Sequence, residues 1–217
     1  MPSTHDFDAE TQLSCTLTTK GNLQLHKKEV NAKLVPGIPW GLWSYWSPLW
    51  VVIRNLTQFD IAYVDSLFQS GEFWGDAPSA NPWDVSTFGL RNSTTFVGIG
   101  YRPSGAINFS VLLDESYQYE FSMVSKCQGI SMPKENLEAN DSCAQGFGNP
   151  MVGSYKASLI EGGNMQEATK LRSKSGGKIT SDKYVGVDAG GQQSKFQLYV
   201  TVIPGKTITV TISQNPL

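Results

Sequence analysis

The chain has few of the residues that carry catalysis or hold metals. Its 217 residues include two histidines, His5 and His26, and three cysteines, Cys15, Cys127 and Cys143. Neither histidine stands at ligand spacing from the other or from a pair of cysteines, so no zinc site is expected. No Gly-x-Ser-x-Gly elbow occurs, and Gly176-Gly177-Lys178 lacks the upstream glycine and the following Ser/Thr of a phosphate loop. Asp114 and Glu115 lie in turn-forming sequence, where they read as solvated carboxylates rather than a general acid–base pair. The expectation is a protein that is not an enzyme and uses no metal and no cofactor.

Charge is also scarce. Charged residues make up 17 % of the chain, and the formal net charge is −2. Counterion release from nucleic acid is then no general driving force, and no nucleic-acid partner is expected. No apolar run approaches the roughly 20 residues of a spanning helix. The opening MPSTHDFDAETQLSC has neither the basic nor the apolar region of a signal peptide. Such a chain would reach a membrane from water, either secreted or released as a soluble protein, or stored in the cytoplasm. Three cysteines do not make a disulfide scaffold; Cys127 and Cys143 either close one loop or remain unpaired thiols.

What the chain does have is strands. WVVIR, FDIAYV, VSTFGL, TTFVGIGY, AINFSVLL and YQYEFSMV follow one another between residues 50 and 125, rich in β-branched and aromatic residues. They are separated by Gly, Pro, Ser and Asp clusters that turn the chain. SYKASLI follows at 154–160. KFQLYVTVI then alternates Phe196, Leu198, Val200 and Val202 on one face. After Pro204-Gly205-Lys206, TITVTIS returns with Ile208, Val210 and Ile212 inward. Many short strands, few helical segments and no repeat predict an all-β, antiparallel β-sandwich with one or two short flanking helices. Residues 1–38 read as a polar extension with a helix over 26–33, and 39–217 as the sandwich. Residues 161–194 read as a long polar insertion, a solvated excursion.

Four of six tryptophans, Trp40, Trp43, Trp46 and Trp50, fall within PWGLWSYWSPLW at 39–50. On a helix, each residue turning about 100°, they share one arc of roughly 120°. Pro39 suits a helix start and Pro48 a stop, so one or two turns and then a strand near Trp50 are expected. The stripe either caps an end of the sandwich or anchors the protein at a bilayer interface, where Trp and Tyr concentrate. Trp74 and Trp83 sit in a Gly/Pro/Ser loop as further candidates for membrane contact.

Four segments, in order, resemble those of the actinoporins, the pore-forming cytolysins of sea anemones, and of related actinoporin-like proteins. VVIRNLTQF is similar to the first core strand and its Asn-containing turn. LFQSG (67–71) is similar to the family's aromatic-x-Ser-Gly strand end, NFSVLLDES (108–116) to the segment entering its lipid-binding loop, and GFGNPMVG (146–153) to its aromatic-Gly-Asn-Pro turn. The aegerolysins look a weaker match. The resemblance implies a β-sandwich that recognises a choline or sphingolipid headgroup, assembles as a homo-oligomer on the membrane and opens a pore. It places Ser70, Ser110, Tyr117, Tyr119, Phe121 and Phe147 in the headgroup site, and beside it Trp40, Trp43, Trp46, Trp74 and Trp83 are the candidates for membrane contact.

The sequence departs from the pattern. Leu112 stands where the family site has Pro, Gln118 where it has a Tyr, and Gly146 where it has another aromatic. CTLTTKGNLQL, with β-branched residues and Gly21, is no amphipathic pore helix. The resemblance therefore implies the sandwich and a lipid-binding surface more directly than the pore. The alternative is a glycan-binding lectin on the same fold, since actinoporin-like lectins also exist and aromatic platforms bind sugar faces.

Overall fold

The computed structural model describes residues 10–45, 48–92, 103–127, 155–166, 176–205 and 207–217. Along the chain run β1 (Glu10–Leu17), α1 (Lys20–Ala32), α2 (Trp40–Trp43), β2 (Leu49–Leu56), β3 (Asp60–Ser70), β4 (Glu72–Trp74) and β5 (Val85–Arg91). There follow β6 (Ser104–Leu112), β7 (Gln118–Cys127), β8 (Tyr155–Glu161), β9 (Gly177–Thr180), β10 (Lys183–Asp188), β11 (Gln193–Ile203) and β12 (Thr207–Pro216).

The strands form two facing sheets. The larger has the order β1-β10-β11-β12-β2-β5-β4, and the smaller is β3-β6-β7-β8. Most pairings are antiparallel, as strand-turn-strand sequence predicts. Two are parallel: β1 with β10, and β12 with β2. The C-terminal hairpin thus lies inside the larger sheet, its last strand slotted against β2.

The period of two in KFQLYVTVI and TITVTIS has its expected outcome. Phe196, Leu198, Val200, Val202, Ile208, Val210 and Ile212 are all buried in the core. The smaller sheet answers with Ile107, Phe109, Val111, Phe121 and Met123, and the Phe109 and Phe121 rings stack with centroids 5.5 Å apart. β2 is buried on both faces, because Val51 and Ile53 enter the core while Trp50 and Val52 are covered from outside. A strand covered on both sides reads as the continuous apolar run LWVVI.

Three expectations need correction. Residues 10–17 are a strand of the larger sheet, with Leu13 and Leu17 in the core, and the helix covers Lys20–Ala32 rather than 26–33. Gly21 and a single buried pair, Leu23 and Val30, hide its first turn from a pattern search. Residues 161–194 are not one solvated excursion, for β10 lies between β1 and β11. β9 shares the edge of β11 with β10, and the break between them is closed by Ser181, whose Oγ accepts from Leu198 N at 2.9 Å. The expected strand TTFVGIGY falls outside the described residues, as does Cys143 and with it any pairing to Cys127.

Candidate functional site: an exposed apolar platform

Pro36 and Pro39 fix the backbone of the crossing from α1 to β2, and the Trp50 indole N–H donates to Pro36 O at 3.2 Å. The single turn α2 then lies against the outer face of β2, β4 and β5. Leu42 points inward with Trp50 and Val52, and Ile38, Tyr45, Trp74 and Val85 pack around them. Glycines allow the close approach. A Cβ on Gly89 would stand 2.7 Å from Leu42 Cδ2, and one on Gly41 would stand 3.4 Å from the Trp74 ring.

With Leu42 turned in, Trp40 and Trp43, three residues apart, emerge together on the far side. Trp40 is 90 % exposed and Trp43 47 %, and just before them Leu34 is 93 % and Val35 39 % exposed. Four large apolar side chains within ten residues thus face solvent, whereas an isolated exposed apolar residue is ordinary. Ion pairs brace their base. Lys33 Nζ donates to Asp84 Oδ1 at 2.7 Å and to Trp83 O at 2.9 Å. Arg91 Nε donates to Glu72 Oε1 at 3.0 Å, and Arg91 Nη1 bonds the Tyr45 hydroxyl.

The other tryptophans differ. Trp74 is half-buried as the floor of α2. Trp83, in the left-handed region at φ 55°, is half-buried and stacks on His26 with centroids 5.0 Å apart. Neither is a free anchor, because each already has a packing partner. Trp46 lies outside the described residues.

Of the six headgroup residues named from the resemblance, the structure does not gather the five that are described. Ser70 pairs with Ser104 at one end of β6, its Oγ 3.0 Å from Ser104 Oγ, while Ser110 lies six residues further along that strand. At about 3.3 Å per residue the two serines stand roughly 20 Å apart. Phe121 and Tyr119 point into the core and are buried, Ser110 is buried, and Tyr117 is exposed on the turn after β6. Phe147 and its Gly-Asn-Pro turn lie outside the described residues. The correction has a simple cause: alternate residues of β7 face the core, and Tyr119 and Phe121 share that parity.

The other three motif segments each run from a strand into a turn. Asn55 holds the turn after β2, its Nδ2 donating to Phe59 O at 2.7 Å and Asn81 O at 2.9 Å, and Thr57 Oγ1 donates to Asn55 Oδ1 at 2.7 Å. LFQSG ends β3, with Gly71 at φ 89° where an added Cβ would meet Arg91 O at 2.7 Å. Asp114 caps the turn after NFSVLL, accepting from Ser116 N at 2.8 Å and Tyr117 N at 2.9 Å.

A second polar feature lies where the sheets meet. The buried Tyr119 hydroxyl makes no well-formed hydrogen bond among the described residues. Burial first, and then the Glu161 carboxylate, push its ionisation far above the ordinary phenol range. Burial and then Asp182 raise Glu161, and the same two causes push Tyr184 up to about 12. All three groups are held in their neutral forms more strongly than in water.

Sequence reasoning found Trp40 and Trp43 but missed Leu34, Val35, Glu72 and Arg91. The LVPGIP string before Trp40 was the available signal, an apolar run broken by prolines at the end of a polar segment. Among the described residues no group of three or more His, Cys, Asp or Glu side chains is placed to hold a metal ion, and no helix is long and apolar enough to cross a membrane.

No protein-family model matches the chain, and no curated protein matches it in sequence. Among solved structures the chain is similar to the lipid-binding protein Nakanori, known from a crystal structure at 1.5 Å. The similarity has 10 % identity and a TM-score of 0.38, and covers 90 % of this chain and 80 % of that one.

Proposed function

We propose that the protein is a non-enzymatic lipid-binding protein that adsorbs to membrane surfaces through Leu34, Val35, Trp40 and Trp43. The carrying observation is the exposure of Trp40, on the single turn α2, and of Leu34, six residues before it, each about nine-tenths open to solvent. Burying one such side chain is worth about 1.5–3 kcal/mol, so these two alone supply roughly 3–6 kcal/mol of transfer. Tryptophan also favours the headgroup zone, where its ring is buried and its N–H stays wet. The motif resemblance supports the same ligand class.

Co-sedimentation with phosphatidylcholine vesicles, with and without sphingomyelin, tests this reading. Pelleting that is lost in Trp40→Ser/Leu34→Ser supports it. Failure of the wild-type chain to bind either vesicle overturns it, and a glycan array then tests the lectin alternative.

Pore formation and oligomerisation are the finer part of the proposal. The thirteen residues of α1 reach about 20 Å, short of the roughly 30 Å hydrocarbon core. A pore would need a segment rebuilt from the present fold. Dye release measured with the pelleting separates the cases, for release supports a pore and binding without release leaves adsorption alone.

A further inference from the structure

We infer that Arg91 is the positioning residue of the platform, presenting Trp40 and Trp43 in one fixed orientation before any surface is met. The inference rests on the membrane-adsorption reading and adds how the anchor is held.

The need for a brace follows from size. α2 has four residues, no side-chain cap at its N-terminus and one bond from Ser44 Oγ to Gly41 O at 2.8 Å at its exit, and a single helical turn is unstable by itself. Beneath it β4 has three residues and lies at the edge of the larger sheet. Two such short elements cannot hold each other in register. Arg91 closes the last rung of β5, opposite Glu72 of β4.

From there its guanidinium reaches both elements. Nε donates to Glu72 Oε1 at 3.0 Å with Nη2 paired to the same oxygen at 2.9 Å, Nη1 bonds the Tyr45 hydroxyl, and Cζ lies 4.9 Å from the Tyr45 ring centre. Tyr45 leaves α2 directly, its N–H donating to Leu42 O at 3.2 Å. One side chain therefore ties β5, β4 and the exit of α2. The planar fork makes several bonds at once, which a lysine ammonium at the end of a flexible stem cannot reproduce. A platform ordered in advance spends less on ordering when it binds.

The test uses the full chain with Arg91→Met and Arg91→Lys, and Tyr45→Phe as the partner-side variant. In solution, hydrogen exchange of the Leu42, Trp43 and Tyr45 amides should accelerate roughly tenfold in Arg91→Met, while exchange in β11 and β12 stays at wild-type rates. Lysine should not restore protection, and Tyr45→Phe should reproduce part of the loss. On vesicles, the partition coefficient of Arg91→Met should fall about threefold to tenfold, with the emission shift of the bound tryptophans reduced. Wild-type exchange at 42–45 in Arg91→Met would overturn the inference, as would full rescue by lysine. If wild-type protein fails to bind vesicles, the adsorption reading falls, and the exchange data still decide whether Arg91 positions α2.

Discussion

Asp114, on the turn between the two central strands of the smaller sheet, grips Ser14 in the first strand of the larger one. Its Oδ2 accepts from Ser14 N at 2.9 Å and from Ser14 Oγ at 3.1 Å. Ser14 stands where the pairing of β1 with β10 breaks register, between Gln12 and Thr16. The carboxylate thus supplies the partner that the neighbouring strand cannot. The bonds from Ser14 and from the turn hold the Asp114 carboxyl below the usual carboxylate range, the Ser14 amide being the largest cause.

A depressed carboxyl stabilises the fold above its unfolded pKa, and that contribution is lost as pH falls through the folded value. Asp114→Ala should lower stability at neutral pH by about 1 kcal/mol, near the usual cost of a lost capping side chain, because the site is open to solvent. Urea melts from pH 7 downward should show wild type and variant converging below the ordinary carboxylate range. A constant gap down to pH 2 would contradict the assignment.

Glu161 has the opposite sign. Its carboxyl is raised, by burial first and by Asp182 next, so between the unfolded and folded values the native state holds the extra proton. Stability from this group is present at low pH and declines as pH rises. Glu161→Gln should therefore raise Tm at neutral pH by about 1–2 °C, corresponding to a few tenths of a kcal/mol. The gain should vanish near pH 4. A lower Tm at pH 7 would show that the Tyr119 hydroxyl depends on the charged form.

Ser110 and Phe121 separate packing from recognition. The Ser110 hydroxyl is buried without a partner among the described residues, so Ser110→Ala should be neutral or slightly stabilising in thermal melts. Phe121→Ala opens a cavity beside Phe109 and Tyr119 and should cost about 3–5 kcal/mol. If Ser110→Ala abolished vesicle binding in a protein of unchanged stability, the headgroup reading of that serine would return.

Trp40, in contrast, should be nearly free of structural cost. Its side chain faces solvent, so Trp40→Ser should change stability by no more than about 0.5 kcal/mol. A loss above about 2 kcal/mol in urea melts would show that the indole packs against the body of the protein.

The legible parts of this fold are those where one face is apolar and the other is not. β11 and β12 declare themselves through Phe196 to Val202 and Ile208 to Ile212, and α2 through Pro39 and the spacing of Trp40 and Trp43. β1 and β10 were hidden because parallel neighbours lie far apart in sequence and their apolar residues are interspersed with Thr, Gln, Ser, Lys and Gly. In β1 only Leu13 and Leu17 are deeply buried, too few to show a period. Motif order could not tell that Ser70 and Ser110 lie at opposite ends of β6, since that depends on the β3–β6 register. The hydrophobic surface was half legible. Trp40 and Trp43 were visible as a pair, but the long-range contacts that turn them outward, Leu42 over Gly89 and Arg91 on Tyr45, were not.

The central claim is that Trp40 and Trp43 enter the membrane. Quenching of tryptophan emission by phosphatidylcholine brominated at defined acyl positions measures this directly. Vesicle-bound wild type should be quenched most by bromines near the headgroup, and Trp40→Phe/Trp43→Phe should lose most of that quenching while still binding. Binding with quenching unchanged in the double variant would place the contact elsewhere on the protein and contradict the account.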